Sequence, residues 1–337
     1  MALYKIPICR LSVMEIVKYI KKSQIFFSVL LPLFFFSCSN ESPNKIRIGI
    51  PEGPSVVSFI KMMDDSVLIN GEKVEFIVKS DPQQIQALMM QNKVDFAILP
   101  TNMAANLYNK GLEYKLIACP VWGTLYILSN LPEVNELSDL KNRNVGVFGQ
   151  GTTADILFQK LIQKKGIENV FIDYRFTGNF ELSQALRLKK TNIAVISEPL
   201  VSKLLKQDSS IHIVERLSCE EYMNEKDRDI FVQTAFLVNE KVIRHNHQII
   251  KEICNAYRSS CNYVVQHPDE AADMLVKRGI LPDTCVAKES ILLCSINYVA
   301  AFAIEDEIYS YLKIFYDFNP ESIGGKLPSR DFIFREF

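Results

Sequence analysis

Apolar positions along the first two thirds of this chain alternate between two periods. Short β-branched runs at Ile46–Ile50 and Val74–Val78, and a compact apolar run at Phe96–Leu99, read as strands. Between them, Val56, Val57, Phe59, Ile60 and Met63 recur at helical spacing. The same order returns further on. Strands are predicted at Val145–Phe148, Phe171–Phe176 and Ile193–Ile196, and Ile156, Leu157, Leu161 and Ile162 mark a helix. Ile48-Gly49-Ile50 and Val145-Gly146-Val147 stand 97 residues apart, as do KVDFAILPTNMAANL (93–107) and KTNIAVISEPLVSKL (190–204). A duplicated β–α–β–α–β–α module therefore predicts an α/β protein of two lobes, each a mostly parallel sheet flanked by helices. The tail reads as helices over 241–265, 269–278, 283–294 and 298–316.

The N-terminus has a different pattern. An apolar run of twelve residues, Ile25–Phe36, follows Lys18, Lys21 and Lys22. A spanning helix needs about 20 apolar residues, whereas a secretory core needs roughly 7–15 after a basic segment. Residues 1–37 are thus expected to be a signal peptide, with Met14 an alternative start. Phe35-Phe36-Ser37-Cys38 resembles a bacterial lipobox, although Phe36 is bulky for its place. Cys38 is the expected lipidation site, and residues 38–44 are the expected flexible tether.

Charge narrows the possible partners. The whole chain has a formal charge of −1, and removing residues 1–37 leaves −5. Neither value supplies the basic surface that nucleic acid requires. Cys119, Cys219, Cys254, Cys261, Cys285 and Cys294 form no C-x-x-C or Cys/His spacing, so no metal is expected. His212, His245, His247 and His267 all lie outside the predicted strand-end loops. Gly146-x-x-Gly149-x-Gly151 lacks the P-loop ending and the dinucleotide spacing. The expectation is a protein that is not an enzyme and needs no cofactor.

In open parallel sheets, ligands gather at the carboxyl ends of strands. Six loops occupy those ends here: 51–55, 80–82, 100–102, 149–153, 177–179 and 197–199. They are small and polar, and helix starts offer free N–H groups to a ligand. The predicted lining is Glu52, Gly53, Ser55, Thr101 and Asn102 from one module. Gln150, Gly151, Thr152, Thr153, Asn179 and Glu198 come from the other. Thr152 and Asp155 suggest a capping box with a shortened acid. No Arg or Lys lies in these loops. Glu52 and Glu198 would favour a neutral or cationic solute, with a small heteroaromatic compound as the first choice.

Four tracts carry a family resemblance: KVDFAILPTNMAANLYNKG (93–111), CPVWGTLY (119–126), VGVFGQGTTADILFQKLIQKKGI (145–167) and NPESIGGKLPSRDFIF (319–334). They resemble solute-binding proteins of bacterial ABC importers, in the branch that takes nitrate, sulfonates, taurine and thiamine pyrimidines. The resemblance implies a type II periplasmic-binding-protein architecture with two hinge crossings, placed at Thr124–Ser129 and Phe231–Val238. Lobe one would be 45–123 plus 236–337, and lobe two 124–235. It implies a lipid-anchored monomer, exported to the cell exterior or periplasm, that works with an ABC permease and its ATPase. Trp122 would either stack on a planar solute or pack at the hinge. Enzymes of the same fold, a dehydratase or a pyrimidine synthase, are the alternative reading, as is a tethered sensor.

Overall fold

The computed structural model describes residues 45–217 and 231–335. The leader, Cys38, the tether and Cys219 lie outside the described residues. The β-branched runs become the strands of two mixed sheets. In the first module, strands β1 (Ile46–Pro51), β3 (Glu72–Lys79) and β4 (Phe96–Pro100) are joined by helices α1 (Pro54–Asp64) and α2 (Pro82–Met90). A two-residue strand β2 (Leu68–Ile69) pairs back on β3. Helix α3 (Thr101–Asn109) leads into β5 (Tyr114–Val121).

In the second module, β6 (Leu125–Ser129) precedes β7 (Asn144–Val147), α4 (Thr153–Lys165), β8 (Phe171–Asp173), α5 (Asn179–Arg187), β9 (Ile193–Ser197), α6 (Leu200–Gln207) and β10 (His212–Arg216). The tail contains β11 (Thr234–Asn239), α7 (Glu240–His245), α8 (His247–Gln266), α9 (Pro268–Lys277), α10 (Thr284–Leu293), β12 (Ile296–Ala300) and α11 (Glu305–Phe318).

The larger sheet runs β12-β5-β11-β4-β1-β3-β2, and the smaller runs β10-β6-β9-β7-β8. The module strands pair in parallel, β1 with β3 and β4, and β7 with β8 and β9. Strands outside the modules enter antiparallel: β11 against β4 and β5, and β6 against β9. Each sheet is therefore half parallel repeat and half antiparallel addition.

The tail departs from the helical reading in two places. The 241–265 helix is broken at Asn246, whose side chain accepts the Ile249 N–H and starts α8 afresh. The 298–316 segment begins as β12 on the sheet edge, because Val299 and Ala300 pair with β5 before α11 starts. Helix α8 anchors α1: the Phe59 and Tyr257 rings stack, and the Ser58 and Tyr257 hydroxyls meet at 2.7 Å. The cysteines among the described residues are free, and all but Cys285 are buried.

The chain leaves the larger sheet after β5, joins the smaller one at β6, and is back in the larger one at β11. The segment 124–129 is thus mostly strand β6 of the smaller sheet. Thr124 binds the returning segment directly. Its N–H donates to Gln233 Oε1 at 2.8 Å, and its hydroxyl meets Ser197 Oγ at 2.8 Å. Gly123 has φ +96°, and a Cβ there would lie 3.3 Å from the Phe231 ring. Only glycine lets the two connections approach this closely.

Candidate functional site

A cleft of about 1640 Å³ lies between the carboxyl ends of the two sets of parallel strands. Six helices begin beside it. Among the described residues, α1, α3, α5 and α6 have no side-chain cap at their N-termini. Only α2, capped by Asp81, and α4, capped by Thr152, have a side-chain cap, while the first N–H of α3 donates to the backbone carbonyl of Gln233 at 3.1 Å. Uncapped helix starts carry unpaired N–H groups and the positive end of the helix dipole. The cleft therefore offers donors to a solute that brings oxygen or heterocyclic nitrogen acceptors.

The structure brings most of the predicted residues to this cleft. Glu52, Gly53, Ser55 and Asn102 line it from one lobe. Gln150, Gly151, Thr152, Thr153, Asn179 and Glu198 line it from the other. Gly53, at φ +119°, is approached across the gap by the carbonyl of Glu198. Thr153 Oγ1 donates to Asn102 Oδ1 at 2.8 Å, which ties the lobes directly together.

Several side chains nevertheless have other partners. Thr101 is fully buried and lies off the cleft, with its hydroxyl donating to Val232 O at 2.6 Å. Trp122 is also off the cleft, and its indole N–H donates to Asn297 O at 2.5 Å. The Thr152 proton is shared by the carbonyls of Phe148 and Gly149, at 2.9 and 2.8 Å. The Asn179 amide is paired with the backbone of Ser197, accepting at 3.0 Å and donating at 3.2 Å.

Glu198 corrects the charge argument. Its carboxylate is fully buried, turned away from the cleft, and accepts from Ser202 Oγ at 2.9 and 3.1 Å. Burial raises its pKa to about 7, against the opposing pull of Ser202 and Ser290. One of the two acids behind the preference for a cationic solute therefore does not face it.

Several lining residues lie outside the predicted set. Lys203 lies on α6, one helical turn beyond the loop that was read. Phe148 and Phe180 give lobe two an aromatic wall, with Phe180 61% exposed, and Met103 lines the cleft from lobe one. Thr234 begins β11. Asp155 supports the second lobe from behind: buried, it accepts from Gly151 N at 2.7 Å, Gln159 Nε2 at 2.8 Å and Tyr174 Oη at 2.6 Å. Burial, then that carboxylate, pushes the Tyr174 phenol well above its ordinary pKa.

Residues 70–271 match the NMT1/THI5-like family. The chain belongs to that family. An ABC transporter structure from Parabacteroides distasonis is 33% identical, covering 87% of this chain and 99% of that one, with a TM-score of 0.75. The periplasmic aliphatic sulphonate binding protein SsuA from Escherichia coli matches in fold at 14% identity, covering 88% and 94%, with a TM-score of 0.71. The ligand-binding component of an ABC-type import system from Staphylococcus aureus matches at 14%, covering 87% and 96%, with a TM-score of 0.69. None of the curated proteins matches. The fold is that of periplasmic binding proteins, shared with the sulphonate-binding protein and the import-system ligand-binding component. Several of its structural neighbours are transport binding proteins. No helix among the described residues is long and apolar enough to cross a membrane.

Proposed function

We propose that this protein captures a small polar or heteroaromatic solute in the interlobe cleft and delivers it, unchanged, to an ABC permease. The observation that carries the reading is the set of four uncapped helix starts, drawn from both lobes, around one cleft. A solute that spans them favours closure by its differential affinity for the closed form. Gly53, Ser55, Asn102, Gln150, Gly151 and Thr153 would contact it, with Phe148 and Phe180 covering its flat face. The sulphonate and nitrate binders among the structural neighbours support small acceptor-rich solutes. Lys203 adds a cation that suits the same chemistry. Acylation of Cys38 would keep the receptor beside its permease, since two or more acyl chains anchor stably where one does not.

The test is a thermal-shift and native mass spectrometry screen of the full chain in mild detergent. The panel is methanesulfonate, taurine, nitrate, cytosine and thiamine. At least one should raise the melting temperature in proportion to the logarithm of its concentration and emerge unaltered. Conversion of a panel compound into a product would overturn the reading. For the anchor, Cys38→Ala should abolish labelling by a fatty-acid probe.

A further inference from the structure

We propose that Thr234 is a specificity-determining contact of the cleft, and that its hydroxyl is kept for a hydrogen-bonding group of the solute. The inference rests on the receptor reading above and names a residue that neither the repeat nor the loop pattern marks.

Thr234 is only 8% exposed, it lines the cleft, and its buried Oγ1 has no hydrogen-bond partner. Buried hydroxyls are normally paired, because leaving one unmade forfeits its hydration with nothing in return. The neighbouring polar groups are already engaged. Thr101, one residue past Pro100, the register partner of Thr234, gives its hydroxyl to Val232 O. Gln233 holds Thr124 through its amide. Two threonines thus stand side by side at the tips of adjacent strands. One is consumed by the hinge and the other is unoccupied.

Strand geometry also gives the direction of the side chain. Along β11, Phe236 and Val238 bury into the cluster under α1, while Ala235 and Leu237 bury on the opposite face. Phe59 of α1 meets Phe236 edge-on at 5.9 Å. Side chains two apart share a face, so Thr234 projects on the α1 side, about 7 Å beyond Phe236 towards the cleft. There the α1 N-terminus begins at Gly53 without a side-chain cap, and Ser55 also lines the cavity. An uncapped helix start and a free hydroxyl on one wall fit an acceptor group of the solute: an oxyanion oxygen, a carbonyl or a ring nitrogen.

The experiment compares the full chain with Thr234→Val and Thr234→Ser, using the same five-compound panel. Valine keeps the shape and removes the hydroxyl; serine keeps the hydroxyl. Stripped of solute, Thr234→Val should melt at or above the parent temperature, because no internal bond is lost. For the panel compound that the parent binds most tightly, Thr234→Val should raise Kd by about tenfold or more, and Thr234→Ser should stay within roughly threefold. A Thr234→Val protein that melts several degrees lower when empty would show that the hydroxyl already has a protein partner, and would overturn the proposal. So would a Kd equal to the parent's, which leaves the receptor reading intact. If no panel compound binds the parent, the receptor reading fails and the Thr234 assignment falls with it.

Discussion

The two lobes answer the same problem differently. Both place helix starts around one cleft, and both descend from one repeated pattern. In lobe two the loop side chains mainly hold each other: Thr152 caps α4, Asp155 braces Gly151, and Asn179 clasps Ser197. That wall presents mostly backbone and aromatic surface. Each lobe caps one of its three helix starts, but in lobe one the Thr234 hydroxyl is unpaired, so side-chain polarity is left over. A rigid wall facing one with unspent hydrogen-bonding capacity separates positioning from discrimination, which is the division expected of a pre-organised receptor.

The largest test of that contrast is Asp155→Ala. It strands three partly buried donors and should cost about 2–3 kcal/mol of stability by chemical denaturation. The matching lobe-one change, Ser55→Ala, should alter stability by less than about 0.5 kcal/mol while weakening solute binding.

Next in size is Glu198→Gln. The folded carboxyl titrates near pH 7 against 4.5 for an ordinary glutamate. Between those values the folded state holds a proton that the unfolded state has lost, so stability falls as pH rises through the window. Glutamine removes the penalty. The variant should be more stable than the parent by on the order of 2–3 kcal/mol at pH 8, and by little at pH 4.5. Equal denaturation midpoints at pH 8 would place the carboxyl in water.

Asn102→Ala deletes the bond to Thr153 across the cleft. Closure then costs about 1 kcal/mol more, and the Kd of the best panel compound should rise roughly fivefold. The smallest effect belongs to Trp122→Phe. It loses one hydrogen bond to Asn297 O, about 0.5–1 kcal/mol of stability. Affinity should move by less than about twofold, because the ring is off the cleft.

The repeat, the strand runs and the loops at the strand ends are all legible in the sequence, because period and β-branching are local properties. Side-chain direction is not. Glu198 turns inward because Ser202 lies one turn along α6 and Ser290 arrives from α10, 92 residues away. Thr101 is consumed by Val232 O, which comes back with the return connection. Thr234 escaped because the carboxyl-end rule applies to parallel strands. Strand β11 runs antiparallel to β4, so its first residue, not its last, reaches the cleft. An apolar run entering the sheet after the second module is the signal that points to such a position. Lys203 was missed for a simpler reason: helix residues one turn in share the cleft wall with the loop.

The most direct measurement is hydrogen–deuterium exchange on the full chain, with and without the panel compound that gives the largest thermal shift. The account predicts slowed exchange in both lobes at once, at residues 53–57, 150–156 and 178–182, with the compound recovered unchanged. Protection confined to one lobe, or lying away from these helix starts, would contradict it.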